Sequence, residues 1–294
     1  MWGSRITRGI ARHRTLSIIV AVLLSMSAVV AAGVYEAHTL RLTRVTYYSP
    51  KVPAAFDGLR VAFLSDFHLG LFTSRSQVRE AVNLVMSLHP DLIVLGGDYA
   101  SYQRPQGLKP MFQELSRLRA PLGVYAVYGN HDLWLSKEGV AQAMKDAGVQ
   151  LLDNSGVWLE QGGDRIRLSG FADLIFEKQD FGATLADATA SDFVLAVSHD
   201  PDIVERFRSV PVDLLLSGHT HGGQISLFGL WAPFNHSEYG QTYLRGVVTT
   251  GPVPVVITNG IGTTLLPLRL FAPPEVVLLT LESGTPEPSP SPSP

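Results

Sequence analysis

Cysteine is absent from the 294 residues, which excludes disulfide bonds and thiolate metal sites. Any metal ion must therefore be bound by oxygen atoms and imidazole nitrogens. An excess of positive charge is also absent, because 23 lysine and arginine residues stand against 26 aspartate and glutamate residues. Nucleic-acid binding normally needs a strongly basic face, so we expect no nucleic-acid partner. The sequence also has no G-x-x-x-x-G-K-[ST] loop, which argues against nucleotide binding by a P-loop.

Charged residues are missing from one long segment near the N-terminus, LSIIVAVLLSMSAVVAAG, which runs from Leu16 to Gly33. Its length is close to the roughly 20 residues that span a bilayer. Because four arginines precede it, we predict a basic cytoplasmic leader over 1–15 and a membrane segment over 16–34. This segment is either an uncleaved transmembrane anchor or a signal segment cleaved near Gly33. Basic residues stay in the cytoplasm, so the rest of the chain is expected on the extracytoplasmic side of the cytoplasmic membrane.

The C-terminus, GTPEPSPSPSP, alternates proline with serine or glutamate. Such a segment can neither bury apolar surface nor pair as a strand, so we predict a disordered tail over 283–294. The remaining residues, 44–282, contain no low-complexity linker and no internal repeat. We therefore predict that they form one domain.

Three segments of this domain share one pattern, a β-prone apolar run that ends in small and polar residues: LRVAFLSDFH, DLIVLGGD and GVYAVYGNHD. Each is followed by apolar residues at helical spacing, which predicts alternating strands and helices. From Asp66 to Asp98, and again from Asp98 to Asn130, is 32 residues, close to the length of one β-α-β unit. The parallel strands should place their carboxyl ends on one edge, where open α/β sheets bind ligands.

Two later segments, DFVLAVSHD and VDLLLSGHTH, end in the same way. The five strand ends together carry a set of carboxylate, amide and imidazole groups: Asp66, His68, Asp98, Asn130, His131, His199, His219 and His221. Such a set exceeds what one tetrahedral ion can use, and it fits a pair of ions. A bridged pair needs a carboxylate that binds both ions, and Asp98 on the middle strand is the candidate.

The ordered blocks D-x-H, G-D, G-N-H-D, a lone histidine and G-H-x-H resemble the calcineurin-like metallophosphoesterase superfamily. The resemblance implies an α/β fold, a four-layer α/β/β/α sandwich of two mixed β-sheets flanked by helices, here preceded by one N-terminal transmembrane helix. The segments SGVWLEQ and DRIRLSG support a second, more antiparallel sheet.

The resemblance also implies a metal-dependent phosphoric ester hydrolase with two divalent ions, Mn²⁺ first, with Zn²⁺ or Fe²⁺ as alternatives. The first ion would be held by Asp66, His68 and His221. The second ion would be held by Asn130, His199 and His219, with Asp98 between the two. The reaction implied is hydrolysis of a phosphodiester or pyrophosphate by a metal-bound hydroxide.

His131 and Asp132 are not metal ligands in this scheme. His131 would stabilise the phosphoryl oxygens or protonate the leaving alkoxide, and Asp132 would orient His131. The alternative for both is structural, as the cap of a helix that begins there.

An aromatic-rich stretch, LFGLWAPFNHSEYGQTYLRG, follows the G-H-x-H block. We interpret it as a substrate wall, with His236, Tyr239 and Arg245 as substrate contacts. Packing of an irregular hairpin is the open alternative. For Arg269 we expect an ion pair with Glu275 rather than a substrate contact.

The membrane segment and the closing NGIGTTLLPLRLFAPPEVVLLTL resemble membrane-associated phosphodiesterases, some of which cleave the pyrophosphate of UDP-2,3-diacylglucosamine in lipid A synthesis. We therefore expect a lipid-linked or cell-envelope phosphoester as substrate. The UDP-sugar stays an alternative, because it is made in the cytoplasm whereas the arginines predict an external site. A phosphoprotein phosphatase and a catalytically silent metal-binding docking module are further alternatives.

Overall fold

A computed structural model describes residues 3–101 and 104–285. Within these ranges the chain forms five α-helices: α1 (Gly3–Glu36), α2 (Arg75–Ser87), α3 (Leu108–Leu115), α4 (Asn130–Asp146) and α5 (Phe181–Leu185). It also forms twelve strands: β1 (Arg41–Ser49), β2 (Leu59–Leu64), β3 (Leu92–Leu95), β4 (Val124–Ala126), β5 (Gln150–Leu151), β6 (Ser155–Gln161), β7 (Asp164–Gly170), β8 (Val194–Val197), β9 (Leu214–Ser217), β10 (Gly246–Val248), β11 (Val255–Ile257) and β12 (Glu275–Ser283). Residues 286–294, most of the predicted tail, lie outside the described part of the chain.

The strands form two six-stranded mixed sheets. The first has the order β1-β12-β2-β3-β4-β5, in which only the β12–β2 pair is antiparallel. The second has the order β10-β11-β9-β8-β7-β6, parallel at its centre and antiparallel at both edge pairs. The first strand of the domain, β1, pairs with the last, β12. The register runs from Arg41 opposite Glu275 to Ser49 opposite Ser283.

The two sheets pack face to face. Their shared core is apolar, with Phe63, Leu195 and Leu279 among its fully buried members. Helices α2, α3 and α4 cover the outer face of the first sheet, whereas α5 and the 3₁₀ helix Pro201–Arg206 cover the second. The predicted fold class, two mixed sheets in a sandwich between helical layers, is confirmed.

Strand burial explains why the functional residues lie at the strand tips. β2, β3, β8 and β9 are buried on almost every residue, so their interiors can hold only apolar side chains. Polar groups can appear only where these strands end. The segments SGVWLEQ and DRIRLSG, expected in a second, more antiparallel sheet, form the antiparallel pair β6–β7 of the second sheet.

The first helix extends beyond the predicted membrane segment. Its portion Thr15–Glu36 is long and apolar enough to cross a membrane, which is a statement of length and composition alone. Its leucine, isoleucine and valine side chains are exposed, so the domain does not cover them. The C-terminal end of the helix contacts the domain, where the Gly33 carbonyl accepts a hydrogen bond from the Arg269 backbone N–H (2.9 Å).

A charge cluster ties α2 to the end of α3. The Glu114 carboxylate is almost fully buried and accepts hydrogen bonds from Arg75 (2.6 Å), Arg79 (2.9 Å) and Arg117 (3.1 Å). These hydrogen bonds lower the pKa of Glu114 from 4.5 to about 2, and the bond from Arg79 has the largest effect on that pKa. The ionised form is therefore the one that folding stabilises.

We expect Glu114→Gln to lower the free energy of unfolding by about 1–3 kcal/mol at pH 7, because a buried charge-assisted cluster is broken. A depressed carboxyl pKa stabilises the fold above the unfolded value of 4.5, and this contribution is lost as the pH falls toward about 2. The difference between variant and wild type should therefore shrink over that window. Urea unfolding of the full chain in detergent micelles measures it, with the exposed Glu138→Gln as the matched control. An equal difference at pH 7 and pH 3 would contradict this account.

Candidate metal centre

The tips of five strands bring the polar side chains to one place. Asp66 and His68 follow β2, Asp98 follows β3, and Asn130 and His131 open α4 directly after β4. From the second sheet, His199 follows β8, and His219 with His221 follows β9. The cluster therefore lies where the carboxyl edges of the two sheets meet.

The backbone at these tips is strained. Asp66, His68, Asp98, His219 and His221 all have positive φ, between 44° and 68°. Residues other than glycine rarely adopt this region, and it costs of order 1–3 kcal/mol per residue. Five such residues in one cluster indicate that the surrounding fold holds the side chains in a geometry that local preference opposes.

Two glycines allow the tips to approach each other. A Cβ at Gly218 would lie 2.2 Å from a carboxylate oxygen of Asp66, and a Cβ at Gly129 would lie 2.2 Å from Oδ1 of Asp98. No side chain fits at either position without moving a carboxylate. The glycines of the G-H-x-H and G-N-H-D blocks are thus explained by close packing against the two aspartates.

One group of donors combines both sheets. The Nε2 atoms of His68 and His221 face each other at 3.1 Å, and Nε2 of His221 lies 3.4 Å from Oδ1 of Asp66. Asp66, His68 and His221 offer one donor atom each within 4.8 Å of one another. Two imidazole nitrogens aimed at each other beside a carboxylate are typical of side chains that converge on a cation.

A second group shares the carboxylates of the first. Nε2 of His199 lies 3.3 Å from Oδ2 of Asp98 and 3.9 Å from Oδ1 of Asp66. Oδ2 of Asp98 also lies 3.3 Å from Nε2 of His68, so Asp98 faces members of both groups. The Nδ1–H of His199 donates to the Gly96 carbonyl (2.7 Å), which leaves Nε2 directed at the carboxylates.

Asn130 and His219 complete the set beside these groups. Oδ1 of Asn130 is buried and has no hydrogen-bond partner. The His219 ring lies 4.9 Å from the ring of His199, centroid to centroid. Its Nε2 is 3.9 Å from Oδ2 of Asp200.

Burial and mutual charge set the protonation of the cluster. Desolvation lowers the pKa of His68 to about 3 and holds the pKa values of His219 and His221 well below 6.5. Desolvation also raises the pKa of Asp66 to about 6. For Asp98, burial alone would raise the pKa, but the imidazoles of His199 and His68 lower it well below 3.8.

The pKa of His199 moves in the opposite direction. Burial alone would lower it, but the carboxylates of Asp98 and Asp66 raise it well above 6.5. A positive charge at this position is therefore strongly favoured.

The donor chemistry fits divalent cations. Imidazole nitrogen, carboxylate oxygen and amide oxygen converge, three of the histidines are held neutral, and the oxygen of Asn130 is buried without a partner. Neutral imidazoles and ionised carboxylates are the forms that bind metal. Buried carboxylates need a compensating positive charge, which cations would supply here.

Asp132 does not face the cluster. Its carboxylate accepts three backbone N–H bonds, from Asp98 (2.8 Å), Tyr99 (2.9 Å) and Gly129 (2.9 Å), at the first turn of α4. Burial and the nearby Asp98 raise its pKa to about 8. This geometry favours the structural alternative for Asp132, a helix cap that also fixes the backbone of Asp98.

His131 and His236 line the cavity above the cluster. The His131 backbone N–H donates to Oδ1 of Asp98 (2.9 Å), and its ring stands edge-on to that of His68 at 4.7 Å. Desolvation lowers the pKa of His131. The His236 ring lies 5.3 Å from that of His219, centroid to centroid, across the same cavity.

Two predicted substrate contacts lie elsewhere. The Arg245 guanidinium donates to the Phe271 carbonyl and lines a separate cleft beside Glu36. The Tyr239 ring packs against Tyr243 at 5.7 Å, outside the lining of the metal cavity. The structure therefore brings His236, but neither Arg245 nor Tyr239, to the predicted cluster.

Arg269 has a structural role, as expected, but the predicted ion pair with Glu275 is wrong. Its guanidinium is fully buried behind the cluster and donates to the carbonyls of Ala272 (2.7 Å) and His221 (3.3 Å). One nitrogen lies 3.4 Å from Nδ1 of His221. The Glu275 carboxylate instead accepts hydrogen bonds from the Thr43 hydroxyl and the Asn259 backbone N–H. The Arg269 guanidinium donates to loop carbonyls and does not pair with this carboxylate.

Sequence reasoning also missed an apolar rim. The cavity has a volume of about 420 Å³, and five of its lining side chains are apolar and about half exposed or more: Leu71, Trp134, Ile175, Phe176 and Leu265. Asp173, at the tip of β7, orients the rim by accepting the backbone N–H groups of Ile175 (3.0 Å) and Phe176 (2.9 Å). The sequence signal was present, because FADLIF follows a strand as the metal-binding blocks do.

Comparisons with known proteins agree with this geometry. The family model "Calcineurin-like phosphoesterase" matches residues 59–223. The uncharacterized metallophosphoesterase YkuE of Bacillus subtilis (strain 168) is 32% identical over 272 residues, covering 88% of this chain and 94% of its own. Phosphodiesterase YaeI of Escherichia coli (strain K12) is 33% identical over 225 residues, covering 76% and 82%. A transmembrane protein with metallophosphoesterase domain from Danio rerio is 27% identical over 292 residues, covering 95% and 65%.

We expect Asp98→Asn to lose divalent cation from the full chain, because a neutral amide cannot hold two cations as a carboxylate does. Metal content after Mn²⁺ loading and dialysis, measured by mass spectrometry, should fall from two ions per chain to one or none. Glu160→Gln, which removes an exposed carboxylate on β6, is the control for charge. Two retained ions in Asp98→Asn would show that Asp98 does not bridge.

Proposed function

Because the chain belongs to the calcineurin-like phosphoesterase family, we propose that it is a membrane-anchored, dinuclear-metal phosphodiesterase of lipid-linked, cell-envelope substrates. Membership of the family makes it a phosphoric ester hydrolase that binds divalent metal. The substrate class is the proposed part. One observation carries it: the cavity that holds the cation-binding cluster is walled by exposed apolar side chains.

The residues that would hold the two cations are divided as the family resemblance implies, and the first set is also a donor group in the structure. Asp66, His68 and His221 form one set, and Asn130, His199 and His219 form the other. Asp98 faces both. When bound, two divalent cations supply the charge that activates water and neutralises phosphoryl oxygens, and Mn²⁺ suits the mixed nitrogen and oxygen donors.

His131 is the proposed acid. Its imidazole lines the cavity between His68 and Trp134, where its N–H can donate a hydrogen bond to a phosphoryl oxygen. Burial lowers the pKa of His131, so proton transfer to the leaving alkoxide relies on the negative charge of a bound phosphate, which raises that pKa. Asp98 binds the His131 backbone, so the carboxylate that faces both sets of donors also fixes this residue. His236, on the opposite side of the cavity, is the proposed second contact to phosphate oxygens.

The lining of the cavity supports an amphiphilic substrate. Trp134 and Phe176 pack edge to face at 5.4 Å, and Leu71 and Leu265 extend the apolar surface. Burying such side chains against acyl chains contributes about 1.5–3 kcal/mol each. A free nucleotide or a small phosphomonoester would leave this surface in water.

The same lining weighs against a phosphoprotein phosphatase. Among the described residues, neither lysine nor arginine lines the cavity, whereas recognition of phosphopeptides normally uses clustered arginines. UDP-2,3-diacylglucosamine stays a second candidate, because its acyl chains would suit the rim. The N-terminal arginines favour a domain outside the cytoplasm, so we rank an external lipid phosphodiester above it.

Anchoring through α1 is part of the proposal. Its apolar side chains are exposed along the membrane-length portion, and the four N-terminal arginines favour a single pass with the domain on the extracytoplasmic side. A transmembrane relative supports anchoring in general.

We expect His131→Ala to keep its metal content and to lose about 10²–10⁴-fold in kcat for bis-p-nitrophenyl phosphate, because general acid catalysis is removed. The wild-type chain, stripped of metal and titrated with Mn²⁺, should cleave this diester in preference to p-nitrophenyl phosphate. His89→Asn is the matched control, since His89 is exposed and asparagine tolerates its φ of 48°. Wild-type turnover by His131→Ala would remove His131 from the mechanism.

A paired substitution tests the apolar rim. Wild-type protein should prefer octyl p-nitrophenyl phosphate to the methyl ester, and Ile175→Ser with Phe176→Ser should reduce this preference about 10- to 100-fold in kcat/KM. Turnover of the methyl ester should stay unchanged, because the cluster is untouched. Tyr48→Ser, an exposed aromatic on β1, is the control. An unaltered octyl preference in the double variant would refute the rim as an acyl-binding wall.

A further inference from the structure

A second apolar surface adjoins the cavity and shares Leu265 with its rim. Two neighbouring loops carry large apolar side chains that are about half exposed or more, and six of these form the surface: Phe228, Leu230, Trp231, Leu265, Leu266 and Phe271. Leu230 is 80% exposed and Leu265 is 78% exposed. Leu265 also belongs to the apolar rim, and the other four side chains of that rim are less exposed than either. We call these six residues the apolar collar.

One of the two loops that carry the collar contacts the end of α1. The Gly33 carbonyl accepts the Arg269 N–H (2.9 Å), and the Glu36 carboxylate accepts the Ala272 N–H (2.7 Å). A Cβ at Gly33 would lie 3.2 Å from the side chain of Leu268, so helix and loop are in close contact. The loop that carries Leu265, Leu266 and Phe271 therefore also holds the helix where it joins the domain.

Both loops are held firmly. The first contains a hairpin closed by the Leu227 N–H and the Trp231 carbonyl (2.7 Å). It joins the second where the Ser226 N–H donates to the Leu270 carbonyl (2.9 Å) and where the rings of Phe228 and Phe271 lie 5.2 Å apart. These contacts make the two loops a rigid platform for the exposed apolar side chains. Because the side chains cannot turn away from water, their exposure is unfavourable.

Gln224 connects this platform to the metal centre. It follows the His221–Gly223 turn, and its amide binds the carbonyls of Thr264 (2.9 Å) and Leu266 (3.1 Å). Thr264 and Leu265 belong to the cavity lining as well. The collar consequently continues from the helix end to the mouth of the cavity.

We propose that the apolar collar is a membrane-contact surface. It holds the domain against the bilayer that α1 crosses, so that the mouth of the cavity opens at the bilayer surface. This proposal rests on the anchoring put forward above. The helix end fixes the occupant, because a bilayer crossed by Thr15–Glu36 must lie beside the loops that bind Gly33 and Glu36. Tyr35, 75% exposed at that end, and Trp231 are residue types enriched at the membrane interface.

The absence of cysteine allows a direct test. Single-cysteine variants Leu230→Cys and Leu265→Cys of the full chain are spin-labelled and reconstituted into phosphatidylcholine vesicles. We expect both labels to collide with oxygen dissolved in the bilayer and to lose collisions with a water-soluble nickel chelate. Glu160→Cys, exposed on β6 at the far edge of the second sheet, is the matched control and should show the reverse.

The outcomes separate the explanations. Labels at 230 and 265 that are as accessible to nickel as the control would overturn the proposal. So would shielding from both reagents, which indicates contact with a second copy of the chain. Contact that appears only in anionic phosphatidylglycerol vesicles at low salt would also overturn it, because apolar insertion does not depend on screening. A label at Leu24→Cys reports the anchor independently, and none of these readouts requires turnover.

Discussion

Burial of two carboxylates, Asp66 and Asp98, among imidazoles is the constraint on which the domain depends. A buried charge without a compensating partner destabilises the fold by on the order of several kcal/mol. The backbone N–H of His219 donates to Asp66, and that of His131 donates to Asp98. Oδ2 of Asp98 and Oδ1 of Asp66 also lie 3.3 Å and 3.4 Å from imidazole nitrogens of His199 and His221. Each carboxylate is thus tied to backbone from another strand tip, so the cluster holds the two sheets at their meeting edge.

Strain at the tips follows from the same requirement. Buried strands cannot bend within their apolar interiors, so the turn that aims each polar side chain must occur in one or two residues. Positive φ at Asp66, Asp98 and His219 is the result, and the glycines beside them remove the side chains that would keep the tips apart. The hydrophobic core between the sheets supplies the stability that maintains these unfavourable conformations.

The sequence predicted the parts of this arrangement that local pattern controls. Apolar runs that end in polar residues, at a spacing of 32 residues, placed the strand tips on one edge, and the structure brings those tips together. The contacts of Arg245, Tyr239 and Arg269 were not predicted, because they depend on how irregular loop segments fold back, and no periodicity encodes that. The rim residues Ile175 and Phe176 were not predicted, because the sequence does not distinguish an exposed apolar side chain at a strand tip from one in the core.

Arg269 shows how the cluster and the N-terminal helix become one mechanical unit. Its guanidinium binds the carbonyl of His221, and its backbone N–H caps the Gly33 carbonyl. A guanidinium has a fixed, planar set of donors, so the loop cannot shift relative to His221 without breaking several buried hydrogen bonds. The direction in which α1 leaves the domain is thereby set by the same residue that supports a histidine of the candidate metal centre. If α1 crosses a bilayer, the distance of the cavity from that bilayer is determined by the fold rather than by a flexible linker, which is the arrangement that a substrate held in the membrane requires.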